Sequence, residues 1–252
     1  NNFTCCKSCQ SIYVLCNNEK HIIVAVYFDD MIIMANTFSA TQYLKDILNA
    51  EFDMEDMGAI SFCLGIDILY NQDKRVIHFS QQGYISQILE RFHMASCYPT
   101  SMPMEGLSHL SDFHNKGDTV NFPYMSLIGS LMYASICTRL DISFATNKLS
   151  QFLENPSPTH WKVAKRILKY LKGTSDLGLT FQASSSDMRL HVDVDWASDP
   201  TDWKSFSGYC VFIGNVVALW EARNKIVWHY QQQRQNIWHW RMESKKFYGH
   251  PT

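Results

Sequence analysis

The chain has 252 residues, 46% apolar and 18% charged, which excludes an intrinsically disordered polymer and suffices for one large core or two small ones. Its 22 Lys and Arg stand against 24 Asp and Glu, a formal charge of −2. That balance excludes a strongly basic nucleic-acid domain in bulk while leaving a local basic face open. No run approaches the ~18 consecutive apolar residues of a membrane span, and no charged leader precedes an apolar stretch. The expectation is an intracellular protein, cytoplasmic or nuclear, with no membrane partner and with free thiols in a reducing compartment. The eight cysteines lack a regular spacing. Cys6-x-x-Cys9 is the one metal-like pair, and no second pair follows at zinc-finger distance.

In chain order, residues 1–10 are polar and cysteine-rich and read as a ragged start. Ser11–Cys16 and His21–Phe28 are β-branched and aromatic runs joined by the turn-like Asn17-Asn18-Glu19-Lys20. Asp29-Asp30 follows, then the apolar run Met31–Ala35, so the pattern is strand, acidic turn, strand. Phe38–Phe52 places Tyr43, Leu44, Ile47 and Leu48 at helical spacing, with Ser39 as N-cap. Ile60–Tyr70 and Val76–Phe79 read as a second hairpin, and Gln82–Phe92 as an amphipathic helix on Ile85, Ile88, Leu89 and Phe92. Cys97–Asn121 has no periodicity and reads as a linker. Helices are expected at Tyr124–Tyr133, Asp141–Leu153 and Pro158–Lys172, and strands at Leu190–Ala197 and Ser207–Leu219. From Glu221 onward the chain turns rich in Trp, Gln, His and Arg and loses its aliphatic period.

Two adjacent carboxylates at a hairpin tip reach one site, where like charges repel unless a cation holds them. Mg²⁺ prefers such oxygens, so Asp29 and Asp30 fit either a divalent-cation site or a solvated turn. Lys162, Lys165, Arg166, Lys169 and Lys172 share one helix face, with Trp161, Ala164, Ile167, Leu168 and Leu171 on the other. That stripe fits either phosphate tracking along a duplex or a solvated surface. His78, His93, His109 and His114 carry no ligand spacing.

Tyr27-Phe28-Asp29-Asp30 is similar to the Tyr-x-Asp-Asp hairpin of reverse transcriptases, and its surroundings narrow the family. Met57–Ile66 resembles the "lGxlxxfLGIxi" segment of copia-type LTR-retrotransposon Pol. Ser80–Ile85, where the thumb begins, and Pro103-Met104-Glu105 resemble the same family. Tyr124–Tyr133 resembles its "YrslvGsLlY". Thr138–Ile142 resembles "TRPDI" with Leu140 in place of proline. His160-Trp161 and Ala164–Thr174 resemble "HWxAaKRiLrYLKGT". Asp193-Val194-Asp195-Trp196, with Asp199, Asp202 and Lys204–Tyr209, resembles the opening of the family's ribonuclease H domain. The likeness runs in order over roughly residues 20 to 220.

What the resemblance implies is an α/β chain. It would hold a partial reverse transcriptase palm (1–79), a helical thumb/connection region (80–183), an incomplete ribonuclease H-like sheet (184–220) and a tail (221–252). The parent would make DNA on an RNA template and degrade the RNA by Mg²⁺-assisted phosphoryl transfer, with Mn²⁺ as a substitute. Asp29, Asp30 and Asp193 would be catalytic metal ligands, Asp195 on the same strand face either an assistant or a solvated acid, and a template–primer duplex the partner. A third palm carboxylate is expected upstream of Asp29, where Glu19 is the sole acid, so the chain is expected to be inactive. The alternative, from another class, is a host-retained binding module that holds nucleic acid or a protein.

The tail has its own explanation. Back-translating Trp220–Gly249 and restoring one G after the Trp220 codon yields GSKKQNSLALSTTEAEYMALADGEQEVLW. This resembles the family's "SKKQxxvALSTTEAEY", whose Glu is a ribonuclease H metal ligand. The expectation is therefore a one-base deletion just after Trp220. It would leave Asp193 without its glutamate partner and residues 221–252 without evolved packing.

Overall fold

The computed structural model describes residues 3–105, 122–183, 187–194 and 205–225. Asp195, Trp196, Asp199, Asp202 and Lys204, the linker segment 106–121 with His109 and His114, and the tail from 226 lie outside the described residues. Among those described, the chain is mixed α/β, with three antiparallel sheets and five α-helices.

The first sheet runs Thr4–Cys6 (β1), Cys9–Cys16 (β2), His21–Tyr27 (β3) and Asp30–Ala35 (β4), in that order. The segment expected as a ragged start thus supplies β1 and opens β2. Period two puts Leu15, Ile22 and Val24 on one face, where they bury against Ala40 and Leu44 of Phe38–Glu51 (α1). The other face leaves Ile23 and Met34 exposed as a cross-strand pair. Thr37, not Ser39, caps α1. Thr37 is the last extended residue, and its hydroxyl accepts from the Ala40 N–H at 3.3 Å, while Ser39 already lies in the first turn.

The second sheet joins Phe62–Cys63 (β5), Ile66–Asn71 (β6), Val76–Ser80 (β7) and Gly178–Gln182 (β8). The strand expected over Ile60–Tyr70 is instead folded back at Leu64-Gly65, with φ of +51° and +72° and Cys63 opposite Ile66. Two left-handed residues in succession make the tight turn whose twist suits a hairpin. β8 arrives from far along the chain and pairs Gly178 with Ser80. A side chain at Gly178 would collide with the Phe79 carbonyl.

Gln82–Arg91 (α2), Tyr124–Cys137 (α3), Ser143–Ser150 (α4) and Pro158–Gly173 (α5) enclose the larger core, with a 3₁₀ turn at Leu140–Ile142. Ile85, Ile88, Leu127, Ile128, Leu131, Leu149, Ile167 and Leu168 are essentially sealed from water there. Ser157 and His160 form a capping box at the start of α5, and the His160 ring stacks on Phe152 at 4.0 Å.

The third sheet has order β9-β10-β11, from Met188–Val194 (β9), Ser205–Ile213 (β10) and Val216–Lys225 (β11). The strand expected over Ser207–Leu219 is a hairpin bent at Gly214-Asn215. β11 also continues past Trp220, pairing Glu221 with Tyr209 and Ala222 with Gly208. Residues 221–225, expected as the start of a tail, thus take part in a backbone ladder. Ladder hydrogen bonds are made by backbone groups, which any extended sequence without proline provides. The sheet docks on the helices through Trp220 Nε1, which donates to the Ser135 carbonyl, and Asn147 Nδ2, which donates to Ala222, each at 2.7 Å.

Arg139 is the largest fully buried side chain, and every donor it uses has a partner. Its Nε and Nη2 donate to the two Asp141 oxygens at 3.0 and 2.7 Å. Nη1 reaches the Thr174 carbonyl and Nη2 also the Thr174 hydroxyl. Tyr170 donates a further hydrogen bond to Asp141 at 2.7 Å. Burial alone would raise the Asp141 pKa, but hydrogen bonds from Arg139 and Tyr170 and the guanidinium charge hold it below the usual carboxylate range. A depressed folded pKa contributes stability above the unfolded pKa that is lost as pH falls through the folded one. Arg139→Ala is expected to cost about 3 kcal/mol in a urea titration, the low end for a broken buried pair, because Asp141 keeps some contact with water. The stability gap between the native chain and Asp141→Asn should narrow below about pH 4, as the native carboxylate protonates.

Candidate functional site

Tyr27 and Asp30 face each other across the β3–β4 ladder, so Phe28 and Asp29 are the two loop residues of a minimal hairpin. The twist of the strands demands a positive φ there, and Phe28 adopts +49°, a conformation that bulky side chains rarely take. Its ring is 89% exposed and meets Tyr27 edge-on at 5.1 Å. Asp29 and Asp30 are both exposed at the tip. Two carboxylates are a hard-oxygen set of the kind Mg²⁺ takes from protein, with water and phosphate oxygens filling the rest of its octahedron. The residues present fit that ion in kind. Among the described residues, no three His, Cys, Asp or Glu side chains gather about one centre.

The Leu64-Gly65 turn lies beside this tip. Burial raises the Cys63 thiol pKa first, and the Asp30 charge raises it further. Tyr133 is pushed to about 12 by burial, by its hydrogen bond with Cys137, and to a lesser degree by Cys137, Tyr84 and Tyr27. Its hydroxyl donates to the Leu64 carbonyl, and its ring meets Tyr84 edge-on at 5.0 Å. Tyr84 in turn donates to the Ser130 carbonyl at 3.2 Å. Residue patterning assigned no role to Cys63, Tyr84 or Tyr133. A residue pair with Gly second between apolar runs was the available signal for the turn, but it names no neighbour.

Asp193 is exposed on β9, opposite Gly208, in a different sheet from Asp29 and Asp30. The five cations of α5 divide. Arg166 pairs with Glu105, and Lys172 donates to the carbonyls of Ala95 and Cys97 at 2.7 Å each, so those two tie the helix to the chain after α2. Lys165 lies over the Trp161 ring at 5.8 Å. Among the described residues, Lys162, Lys165 and Lys169 have no carboxylate in ion-pair range. The opposite face is buried as its spacing demands, at Ala164, Ile167, Leu168 and Leu171.

A reverse transcriptase (RNA-dependent DNA polymerase) family profile matches residues 1–106. The chain is 38% identical over 213 residues to the retrovirus-related Pol polyprotein from transposon TNT 1-94 of Nicotiana tabacum, covering 82% of this chain and 16% of that one. It is 34% identical over 220 residues to the Pol polyprotein from transposon RE1 of Arabidopsis thaliana, covering 85% and 14%. An uncharacterized mitochondrial protein of Arabidopsis thaliana is 29% identical over 205 residues, covering 79% and 82%. No solved structure matches. The sequence matches define a reverse transcriptase-family protein, and the mixed α/β fold fits it. More narrowly, the chain belongs to the copia-type retrotransposon Pol polyproteins and spans about a sixth of their length.

The Leu64-Gly65 turn yields a direct test of its geometry. Leu64→Asn puts a residue tolerant of left-handed backbone into the first turn position and keeps the carbonyl that Tyr133 uses. It should stabilise the chain by roughly 1 kcal/mol, seen as a higher denaturant midpoint at unchanged slope.

Proposed function

We propose that the chain is the part of a copia-type Pol polyprotein that carries the end of the palm, the thumb/connection helices and the start of the ribonuclease H domain. The parent, on this reading, copies RNA into DNA and degrades the template, within the cytoplasm or nucleus. Asp29 and Asp30 would hold Mg²⁺, or Mn²⁺ in its place, and a bound divalent ion would supply charge stabilisation for phosphoryl transfer. The observation that carries this is the two-residue turn, which sets both carboxylates exposed at one tip. The chain's own contribution there is positional: β3 and β4 aim the acids, and Tyr27 flanks them.

The 252 residues alone are not proposed to complete either reaction. The turn supplies two carboxylates, Asp193 stands in another sheet, and the frame change after Trp220 removes the ribonuclease H glutamate from the sequence. Lys162, Lys165 and Lys169 would track backbone phosphates of a template–primer duplex, a role supported by their lack of acidic partners among the described residues. They also support the alternative, a non-enzymatic binding module that has kept the helix and lost the chemistry.

Cys63 reports on the metal without any need for turnover. Mg²⁺ bound at the tip offsets the Asp30 charge, lowers the thiol pKa and speeds alkylation of Cys63 at pH 8. Asp29→Asn should abolish that acceleration, whereas Asp30→Asn should speed alkylation without metal and make it insensitive to Mg²⁺. An unchanged Cys63 rate with Mg²⁺, alongside a faster rate in Asp30→Asn, would leave the binding-module reading in place of the metal site.

For the basic face, salt is the lever. Replacing Lys162, Lys165 and Lys169 by Gln should weaken duplex binding and flatten its salt dependence by about 0.9 in log–log slope for each phosphate no longer neutralised. A slope that does not move returns the stripe to a solvated surface.

A further inference from the structure

The β1–β2 hairpin carries four of the eight thiols, Cys5, Cys6 and Cys9 at its turn and Cys16 at the far end of β2, none of them used by the site above. Cys6 and Cys9 are cross-strand partners, with Lys7 and Ser8 as the two loop residues. Directly opposed residues of an antiparallel pair hold their Cα atoms roughly 4.5–5.5 Å apart, inside the span a disulfide bridges. The neighbouring sulfurs have opposite surroundings. Cys5 Sγ donates to the carbonyls of Cys6 and Gln10, at 3.7 and 3.6 Å. Cys6 instead faces the backbone N–H groups of Ser8 and Cys9, with the Ser8 hydroxyl adding to them. These donors hold its thiol pKa below the ordinary value although burial opposes them. Among the described residues no third ligand joins the pair, which favours dithiol over metal chemistry.

We propose that Cys6 and Cys9 form a redox-active dithiol that closes to an intramolecular disulfide on reaction with a low-molecular-weight disulfide such as oxidised glutathione. The Cys6 thiolate attacks one sulfur of the glutathione disulfide, forming a mixed disulfide and releasing one glutathione thiolate. The Cys9 thiolate then attacks Cys6 Sγ, forming the Cys6–Cys9 bond and releasing the second. Two protein thiols lose two electrons and two protons, and one glutathione disulfide becomes two thiols. The product ties edge strand β1, whose ladder is only three residues long, covalently to β2. Excess reduced thiol reverses both steps.

The test uses the full chain, reduced and then exposed to oxidised glutathione, with peptide mass mapping as the readout. A Cys6–Cys9 linkage is expected as the main product. Cys9→Ser should stop at a glutathione adduct on Cys6, and Cys6→Ser should leave Cys9 largely unmodified. Competitive alkylation of the native chain needs no variant. At pH 7, Cys6 should react faster than Cys5, because the thiolate is the nucleophile. Adducts spread evenly over Cys5, Cys6, Cys9 and Cys16, a principal Cys5–Cys9 linkage, or equal alkylation of Cys5 and Cys6 would each overturn the proposal.

Discussion

A guanidinium sealed from water is tolerable only when its donors are satisfied, and Arg139 meets that demand in a way that organises the chain. Asp141, two residues on, takes one edge of the fork, while Thr174 at the end of α5 takes the remaining donors. The preceding residue, Thr138, donates to Gln81 at the entry to α2 at 2.7 Å. One short segment after α3 therefore fixes where α2 begins and where α5 ends. The end of α5 sets the path into β8, whose Gly178 lies too close to β7 for any side chain. Sheet and helices are joined at this node. The 3₁₀ turn at Leu140–Ile142, with Leu140 where the family pattern has proline, starts between the two ends of the Arg139–Asp141 pairing.

The β3–β4 hairpin packs on α1, and the helical unit reaches its neighbourhood through the Leu64-Gly65 turn. α3 carries Tyr133 to the Leu64 carbonyl, and the Leu64-Gly65 turn lies close enough to Asp30 for its charge to reach Cys63. Asp29 and Asp30 sit on a loop of minimal length, which fixes their direction more firmly than a longer loop would. The residues that aim the acids and those that would do chemistry are thus distinct. Most of the family-like motifs do neither and instead hold the helical unit together. Tyr124 donates to the Leu149 carbonyl at 2.8 Å, His160 caps α5, and Gly173 leaves room for Pro99, whose Cβ would lie 2.9 Å from an added side chain.

Helix α5 shows why a charge stripe is an incomplete guide to a binding face. Five cations share one side by spacing, yet Arg166 and Lys172 are occupied with the chain that follows α2, through Glu105 and two carbonyls. β11 gives the converse lesson at Trp220. The proposed change of reading frame would alter every side chain beyond it, but the ladder continues to Lys225 because pairing draws on the backbone.

Local periodicity and turn chemistry were enough to place the four-residue acidic tip, the amphipathic helices and the apolar side of α5, since these depend on neighbours within a few residues. Strand limits were less legible. Leu64 and Phe28 adopt left-handed backbone that their own side chains disfavour, so only Gly65 marks the first turn and nothing in Phe28 marks the second. The ordered first strand and the paired residues after Trp220 were likewise invisible, because an edge or a tail becomes a strand only when another strand is there to receive it. By itself, then, the sequence determined the family, the helical faces and the exposed pair Asp29 and Asp30. The tertiary structure alone decided which cations have no acidic partner among the described residues, that the Asp30 charge reaches Cys63, and that Arg139 is structural. Each of those depends on contacts between residues distant along the chain, which only folding brings together.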